Sequence, residues 1–239
     1  RQKAPTSVQS LLNTEIGIRL SNDMALGETD FELMGMSGNN VKILLDGIPL
    51  IDRGATKQSL SQLDVNSIER VEIVEGPMSV VYGTDALAGV INIITKKGDG
   101  YSEENTWRVG ARVQEESMGK EYDFFKDKGL HNESIDLGFN HKSGLFVNGG
   151  YTRNNHGGWQ GDLTGREKRW HPKDQALMNG MFGFQNRNMN VWYRLDFLDE
   201  KIFGPNNGSE LQPEKVSDKD FLTKRYTHQL QSDWKLDNR

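Results

Sequence analysis

The 239-residue chain has no cysteine, which excludes a disulfide scaffold and a thiolate metal or redox site. It also lacks any run approaching the roughly 20 apolar residues that a membrane-spanning helix needs. Hydrophobic residues make up only 35% of the chain, and its mean hydropathy is -0.69. Neither figure excludes a membrane β-barrel, because only alternate residues of each barrel strand face lipid. Strong charge of either sign is missing too: the net charge of -5 argues against a nucleic-acid partner. The histidines are scattered, no two at the close spacing of a metal site. His156-Gly157-Gly158 resembles an esterase oxyanion loop, but no serine nucleophile elbow accompanies it. These absences leave no cofactor, metal centre or covalent nucleophile marked by the residues. It begins at Arg1 without a signal-peptide pattern and stops at Arg239 just after a strand-like segment. Both ends are expected to be cuts in a longer chain.

What is present is organised around Ile68–Lys97. Val71 and Ile73 alternate with Arg70 and Glu72, the period-2 sign of a half-buried strand. Gly76-Pro77 ends that strand, since proline has no N–H to give a ladder. A small-residue link from Tyr82 to Gly89 permits close backbone approach, and Val90–Thr95 is a β-branched apolar strand. Before this stretch, Val8 to about Glu15 reads as a short helix capped by Thr6 or Ser7, and a strand follows from Ile16. Ser21–Thr29 and Asp52–Ser61 read as polar loops. Phe31–Met36 and Val41–Leu45 read as strands, the second turning at Asp46-Gly47 into Ile48-Pro49-Leu50. The sum is a small α+β domain over residues 1–98.

From Thr106 the pattern changes to long alternating strands. Trp107, Val109, Ala111 and Val113 alternate with Arg108, Gly110, Arg112 and Gln114. Faces of the same kind follow at Ile135–Phe139, Leu145–Tyr151, Ala176–Phe184, Met189–Phe197 and Tyr226–Leu236, about six strands in all. The links between them alternate strictly: His141–Gly144 and Gln185–Asn188 are tight, whereas Glu116–Asn132, Asn154–Lys173 and Asp199–Asp220 are long and polar. An up-and-down barrel with short periplasmic turns and long extracellular loops has this pattern, with its apolar face toward lipid. Barrels wide enough to hold a domain have about 22 strands, so residues 99–239 are expected to be the first part of one.

Two motifs point to a family. IERVEIVEGP followed by YGTDALAGVINIITK closely resembles the end of the plug domain of TonB-dependent outer-membrane transporters. Upstream, NNVKILLDGIPL (Asn39–Leu50) resembles a second plug signature at the expected distance. The resemblance implies an α+β plug followed by antiparallel strands of a transmembrane β-barrel in the bacterial outer membrane. It also implies energised uptake of a scarce nutrient such as a ferric siderophore, haem or cobalamin, the siderophore and cobalamin branch being nearer than the glycan branch. The partners it implies are outer-membrane lipid, a chelate or macrocycle substrate, a surface lipoprotein and the TonB energy-coupling complex, reached through an N-terminal TonB box that this chain lacks. A surface binding or adhesion receptor on the same scaffold is the alternative.

The resemblance also marks candidate residues. Its apical plug loops correspond to Leu20–Asp30 and Leu50–Ser59, giving Asn22, Asp23, Met24, Asp52, Arg53 and Lys57 as substrate contacts. The extracellular loops offer Tyr122, Phe125, His156, Trp159 and Trp170, whose rings can stack on a flat chelate, pack the loops or form an interfacial girdle. The chain departs from the family at two positions. Met34 and Glu75 stand where plugs of this family typically carry arginines that pair with glutamates of the barrel wall. A carboxylate in that interface needs a cation, and Arg108 and Arg112 are the nearest candidates on the lumen-facing side.

Overall fold

A computed structural model describes residues 8–12, 17–23, 28–33, 35–37, 40–50, 58–77, 86–98, 104–205 and 218–236. It divides into two compact units, Arg1–Thr95 with Gln160–His171, and Lys96–Trp159 with Pro172–Arg239.

The first unit opens with helix α1, Val8–Leu12, whose Val8 and Leu12 are fully buried. Strands β1 (Ile18–Asp23), β2 (Glu28–Leu33) and β3 (Met36–Ser37) form a small antiparallel sheet. The segment expected as a loop over Ser21–Thr29 is therefore largely hairpin, with Asn22 opposite Thr29 and Asp23 opposite Glu28. Cross-strand pairing satisfies the backbone of this polar sequence, which residue types alone did not signal. A second sheet holds β4 (Val41–Leu45), β5 (Ile48–Pro49), β6 (Ile68–Glu75) and β7 (Gly89–Thr95) in the order β5-β4-β7-β6. Between them, α2 (Gln58–Ser61) replaces the end of the expected polar loop, with Leu60 buried at its centre.

The β4–β5 turn is the two-residue type that Asp-Gly favours: Asp46 has φ 50° and Gly47 φ 83°, with Leu45 opposite Ile48. Strand β7 is buried on both faces, running parallel to β4 and antiparallel to β6. Its Ile91 and Ile93 join Val41, Ile43, Leu12 and Leu33 in the core, each large side chain worth about 1.5–3 kcal/mol of burial. Strand β6 covers one side only. Val71 and Ile73 pack against that core while Arg70 and Glu72 are exposed. At Gly89, with φ 151°, a Cβ would run into the carbonyl oxygen of Val74, so only glycine lets β7 approach β6 this closely.

The second unit is one six-stranded antiparallel meander. Its strands are β8 (Thr106–Glu116), β9 (Leu130–Asn140), β10 (Leu145–His156), β11 (Lys173–Gln185), β12 (Met189–Gly204) and β13 (Lys219–Trp234). Among the described residues each pairs only with its sequence neighbours, so the short and long links fall at opposite ends. The strands run further into the long links than the alternation indicated, so His131 and His156 are strand residues, not loop residues. Register makes two unlike faces. On one, Trp107, Phe139, Val147, Phe182, Tyr193 and Leu230 align across the six strands, with Ala111, Ile135, Tyr151, Met178, Phe197 and Tyr226 two rows away. Many of these side chains are exposed, Trp107 at 75% and Leu230 at 72%. The opposite face carries Arg108, Arg112, Asp136, Asn148, Gln175, Arg194, Asp196 and Glu200.

Candidate substrate-binding surface

The apolar face ends in charge toward the long-loop end. The row holding Glu133, Arg153, Asp199 and Lys224 is followed by Asp174 and Lys201. Arg153 pairs with Asp174 at 3.3 Å, Lys224 with Asp199 at 3.3 Å and Lys201 with Asp220 at 2.9 Å. Charges cannot be hydrated in hydrocarbon, so this belt lies outside it and marks where a lipid-facing band stops.

Beyond the belt stands an anchor for the first long loop, residues 117–129. Glu115, near the end of β8, accepts three hydrogen bonds on Oε2. They come from His131 Nδ1 at 2.6 Å, the Tyr122 hydroxyl at 3.2 Å and the Phe125 backbone N–H at 3.3 Å. The first fixes the tautomer of His131, whose ring is buried beside that of Tyr122. Partial burial and donation to Glu115 push the Tyr122 phenol above its ordinary value. Within the loop, Met118 and Glu121 exchange backbone hydrogen bonds at 3.0 Å, and Asp123 N–H donates to the Lys128 carbonyl at 2.8 Å. Held this way, Phe125 has φ 59°, a left-handed conformation that costs a bulky residue about 1–2 kcal/mol. The loop presents Phe124 and Phe125 edge to face, ring centroids 4.3 Å apart, with Phe124 66% exposed.

The polar face of the sheet carries a lateral ladder at the same end. Asn132 Nδ2 donates to Asn154 Oδ1, Asn154 Nδ2 to Gln175 Oε1 at 2.8 Å, and Gln175 Nε2 to Glu200 Oε2 at 2.7 Å. Lys173 meets the same oxygen at 2.9 Å. Every amide points its donor toward Glu200, so the run ends on a carboxylate already matched to a cation, and Gln175 and Glu200 are buried. Nearer the short-turn end, Arg194 forks onto Asp196 with two contacts of 2.7 Å, and Arg108 lies 3.8 Å from Asp136 and 3.3 Å from Asn148.

Among the residues marked by sequence, Tyr122 and Phe125 share the Glu115 anchor. His156 ends β10, its Nδ1 accepting from the Gly158 N–H at 3.0 Å. Trp159 and Trp170 are half-buried and fall in different units. Asn22 and Asp23 end β1, while Met24, Met34, Asp52, Arg53 and Lys57 lie outside the described residues. Glu75 is exposed at the end of β6, and Arg108 is engaged on its own sheet. Glu115 and the ladder were not marked from sequence, whereas Phe124 and His131 were counted among the loop aromatics. The missing signal is register, because Glu115 and His131 are 16 positions apart and meet only through the β8–β9 pairing. Among the described residues there is no group of three or more histidine or acidic side chains arranged to hold a metal ion, and no helix long and apolar enough to cross a membrane.

Comparison with known proteins matches these features. Residues 1–90 match the TonB-dependent receptor plug domain family. The ferrienterobactin receptor of Escherichia coli (strain K12) is 33% identical over 107 residues, 39% of this chain and 14% of the receptor. The fold matches a mutant ferric enterobactin receptor from Pseudomonas aeruginosa, solved with enterobactin, with TM-score 0.68 at 17% identity, covering 98% of this chain and 37% of that one. It also matches the copper transporter OprC, with TM-score 0.64 at 13% identity over 84% of this chain and 30% of that one. The chain therefore spans well under half the length of each. Residues 1–90 thus belong to the TonB-dependent receptor plug family, and they are followed by a six-stranded meander with one apolar and one polar face, the order of plug and strands found in the fold of these outer-membrane receptors.

Proposed function

We propose that the full-length protein takes up a scarce, bulky iron chelate of the siderophore type, bound between the plug loops and the long extracellular loops. The observation that carries this reading is the continuity of a plug-family domain with a sheet that separates an apolar from a polar face. The chelate receptors among its relatives support the substrate class, and the copper transporter keeps other metal cargoes, haem and cobalamin in the test. Energy comes from the TonB complex acting on a segment before the plug. No bond of the substrate is made or broken, so the residues serve as contacts: Asn22, Asp23, Met24, Asp52, Arg53 and Lys57 from the plug, and Tyr122, Phe125, His156, Trp159 and Trp170 from the loops. Outer-membrane lipid and a surface lipoprotein are its further partners.

The test is uptake by cells carrying the full-length protein, given ferric catecholates and hydroxamates, haem, cobalamin and copper. Uptake of a ferric chelate that stops when the N-terminal segment is deleted is expected. Surface binding without uptake, indifferent to that deletion, would make the protein a binding or adhesion receptor instead.

The reversed charge at Glu75 belongs to the same reading. In this proposal it pairs with a wall cation, Arg112 or Arg108, in place of the arginine–glutamate pairing typical of the family, and Met34 replaces the second arginine with an uncharged side chain. Glu75→Arg should weaken plug retention, measured as passive entry of a large antibiotic, and Glu75→Arg with Arg112→Glu should restore it. If neither Arg112→Glu nor Arg108→Glu restores the barrier, the pairing is wrong.

A further inference from the structure

The polar face of the sheet has an apolar exception. Phe146, Met181 and Trp192 cluster near the short-turn end, on cross-strand rows with Asn140, Asn148, Arg194 and Gln231, with Trp192 only 1% exposed. Alternation puts all three on the face where a watery lumen favours polar side chains, and apolar surface there is costly unless something covers it. Gly183 lies between Phe146 and Trp192 on the same cross-strand row. A Cβ at Gly183 would stand 2.6 Å from the Val191 carbonyl oxygen and 2.7 Å from Phe146 Cζ and Trp192 Cβ, so its bareness makes room for the cluster.

Against Phe146 and Trp192 lies the chain that leaves the plug. Directly after β7, the Lys96 carbonyl accepts from Asn148 Nδ2 at 3.4 Å. The Lys97 ammonium sits 4.9 Å from the centroid of the Trp192 ring. Gly98 lies so close to the Phe146 ring that a Cβ would overlap it. Three consecutive residues are thus held by a hydrogen bond, a cation–π contact and direct packing. Within the plug, the preceding residue is fixed independently. The buried Asp46 carboxylate accepts from the Thr95 N–H at 3.1 Å and from its hydroxyl at 2.7 Å. A single peptide bond separates the two anchored residues, Thr95 and Lys96.

We propose that Phe146, Met181, Trp192 and Asn148 form an anchoring site for residues 96–98, and that this site ends any displacement of the plug at Thr95. Force applied ahead of the plug can then rearrange residues on the N-terminal side of β7 while the chain from Lys96 onward stays on the wall. The role in transport rests on the uptake reading; the anchor itself does not.

The bonds after Lys96 and Lys97 are trypsin sites, so the full-length protein in detergent can report on the anchor directly. Cleavage at these bonds follows the population in which the segment is released. Wild type should be cut slowly there, and Trp192→Ala at least about tenfold faster, on the scale of a lost desolvated cation–π contact. Trp192→Phe, which keeps an aromatic face, should stay near wild type. Gly98→Val should also expose the site, and adding Phe146→Ala should protect it again by removing the ring it strikes. A heat-sensitive gel shift confirms a folded barrel in each variant. Wild type cut as fast as Trp192→Ala, or no rescue of Gly98→Val by Phe146→Ala, would overturn the proposal. Failure of uptake with these cleavage patterns intact would overturn the transport reading alone.

Discussion

Glu115 shows how one side chain can set the conformation of a whole loop. Its Oε2 gathers a histidine, a phenol and a backbone amide, and the amide belongs to Phe125, the aromatic residue held left-handed. Charge-assisted hydrogen bonds of this kind offset the backbone strain. Glu115→Gln removes the charge and presents a poorer acceptor. Trypsin cleavage after Lys120, Lys126 and Lys128 should then run at least about threefold faster than in wild type, with Glu116→Gln as the control. Equal rates in the two variants would show that the loop is held by its own backbone bonds. Tyr122 and Phe125 were legible from sequence as exposed loop aromatics, but the carboxylate beneath them was not. A glutamate at the end of an alternating strand looks like any solvated charge until its neighbour on β9 is known.

At the scale of the element, alternation predicted six strands with the correct faces, and the register converts those faces into a band. Along β12 the apolar positions run from Met189 to Phe197, a span of about 26 Å of strand. The lipid-facing band of outer-membrane barrels is about 25 Å tall, measured across tilted strands. Leu137 lies in the middle of that band. Leu137→Arg should destabilise the folded receptor by about 2–4 kcal/mol in a lipid refolding titration. Thr227→Arg, exposed on the opposite face, should cost under about 1 kcal/mol. Similar costs for both would contradict the assignment of faces. The hairpin at β1–β2 and the helix α2 were misread as loops for one reason. Asn22, Asp23, Thr29 and Gln58 carry weak local preference, and pairing or the burial of Leu60 decides their state.

At the scale of the whole molecule, the chain joins two kinds of construction. The plug is a small core built on β7, buried on both faces. Among the described residues the wall's buried cluster is the smaller one of Phe146, Met181 and Trp192, and its stability comes from ladder pairing and from the solvent each face meets. Both outer strands of the meander, β8 and β13, have one neighbour each. Open edges of that length are not tolerated in lipid, since their N–H and C=O groups would go unpaired. The six described strands therefore fit as part of a larger closed wall, the setting of the proposed anchor for residues 96–98.

Sequence alone determined the plug signature, the change of pattern after it and the two faces of the meander, because each is written in local residue order and period-2 alternation. The plug signature at Ile68–Lys97, the Asp46-Gly47 turn and the tight and long links needed no distant partner to be recognised. Tertiary structure decided what those segments hold. Asp46 holds Thr95 across 49 positions, Glu115 holds His131 across 16, and Asn148 holds Lys96 across 52. Phe146 and Trp192 were visible only as breaks in an alternating pattern until register placed them on either side of Gly183. The physical reason is common to all of these. Periodicity fixes which face a side chain occupies, whereas its partner depends on strand order and register, properties of the assembled sheet.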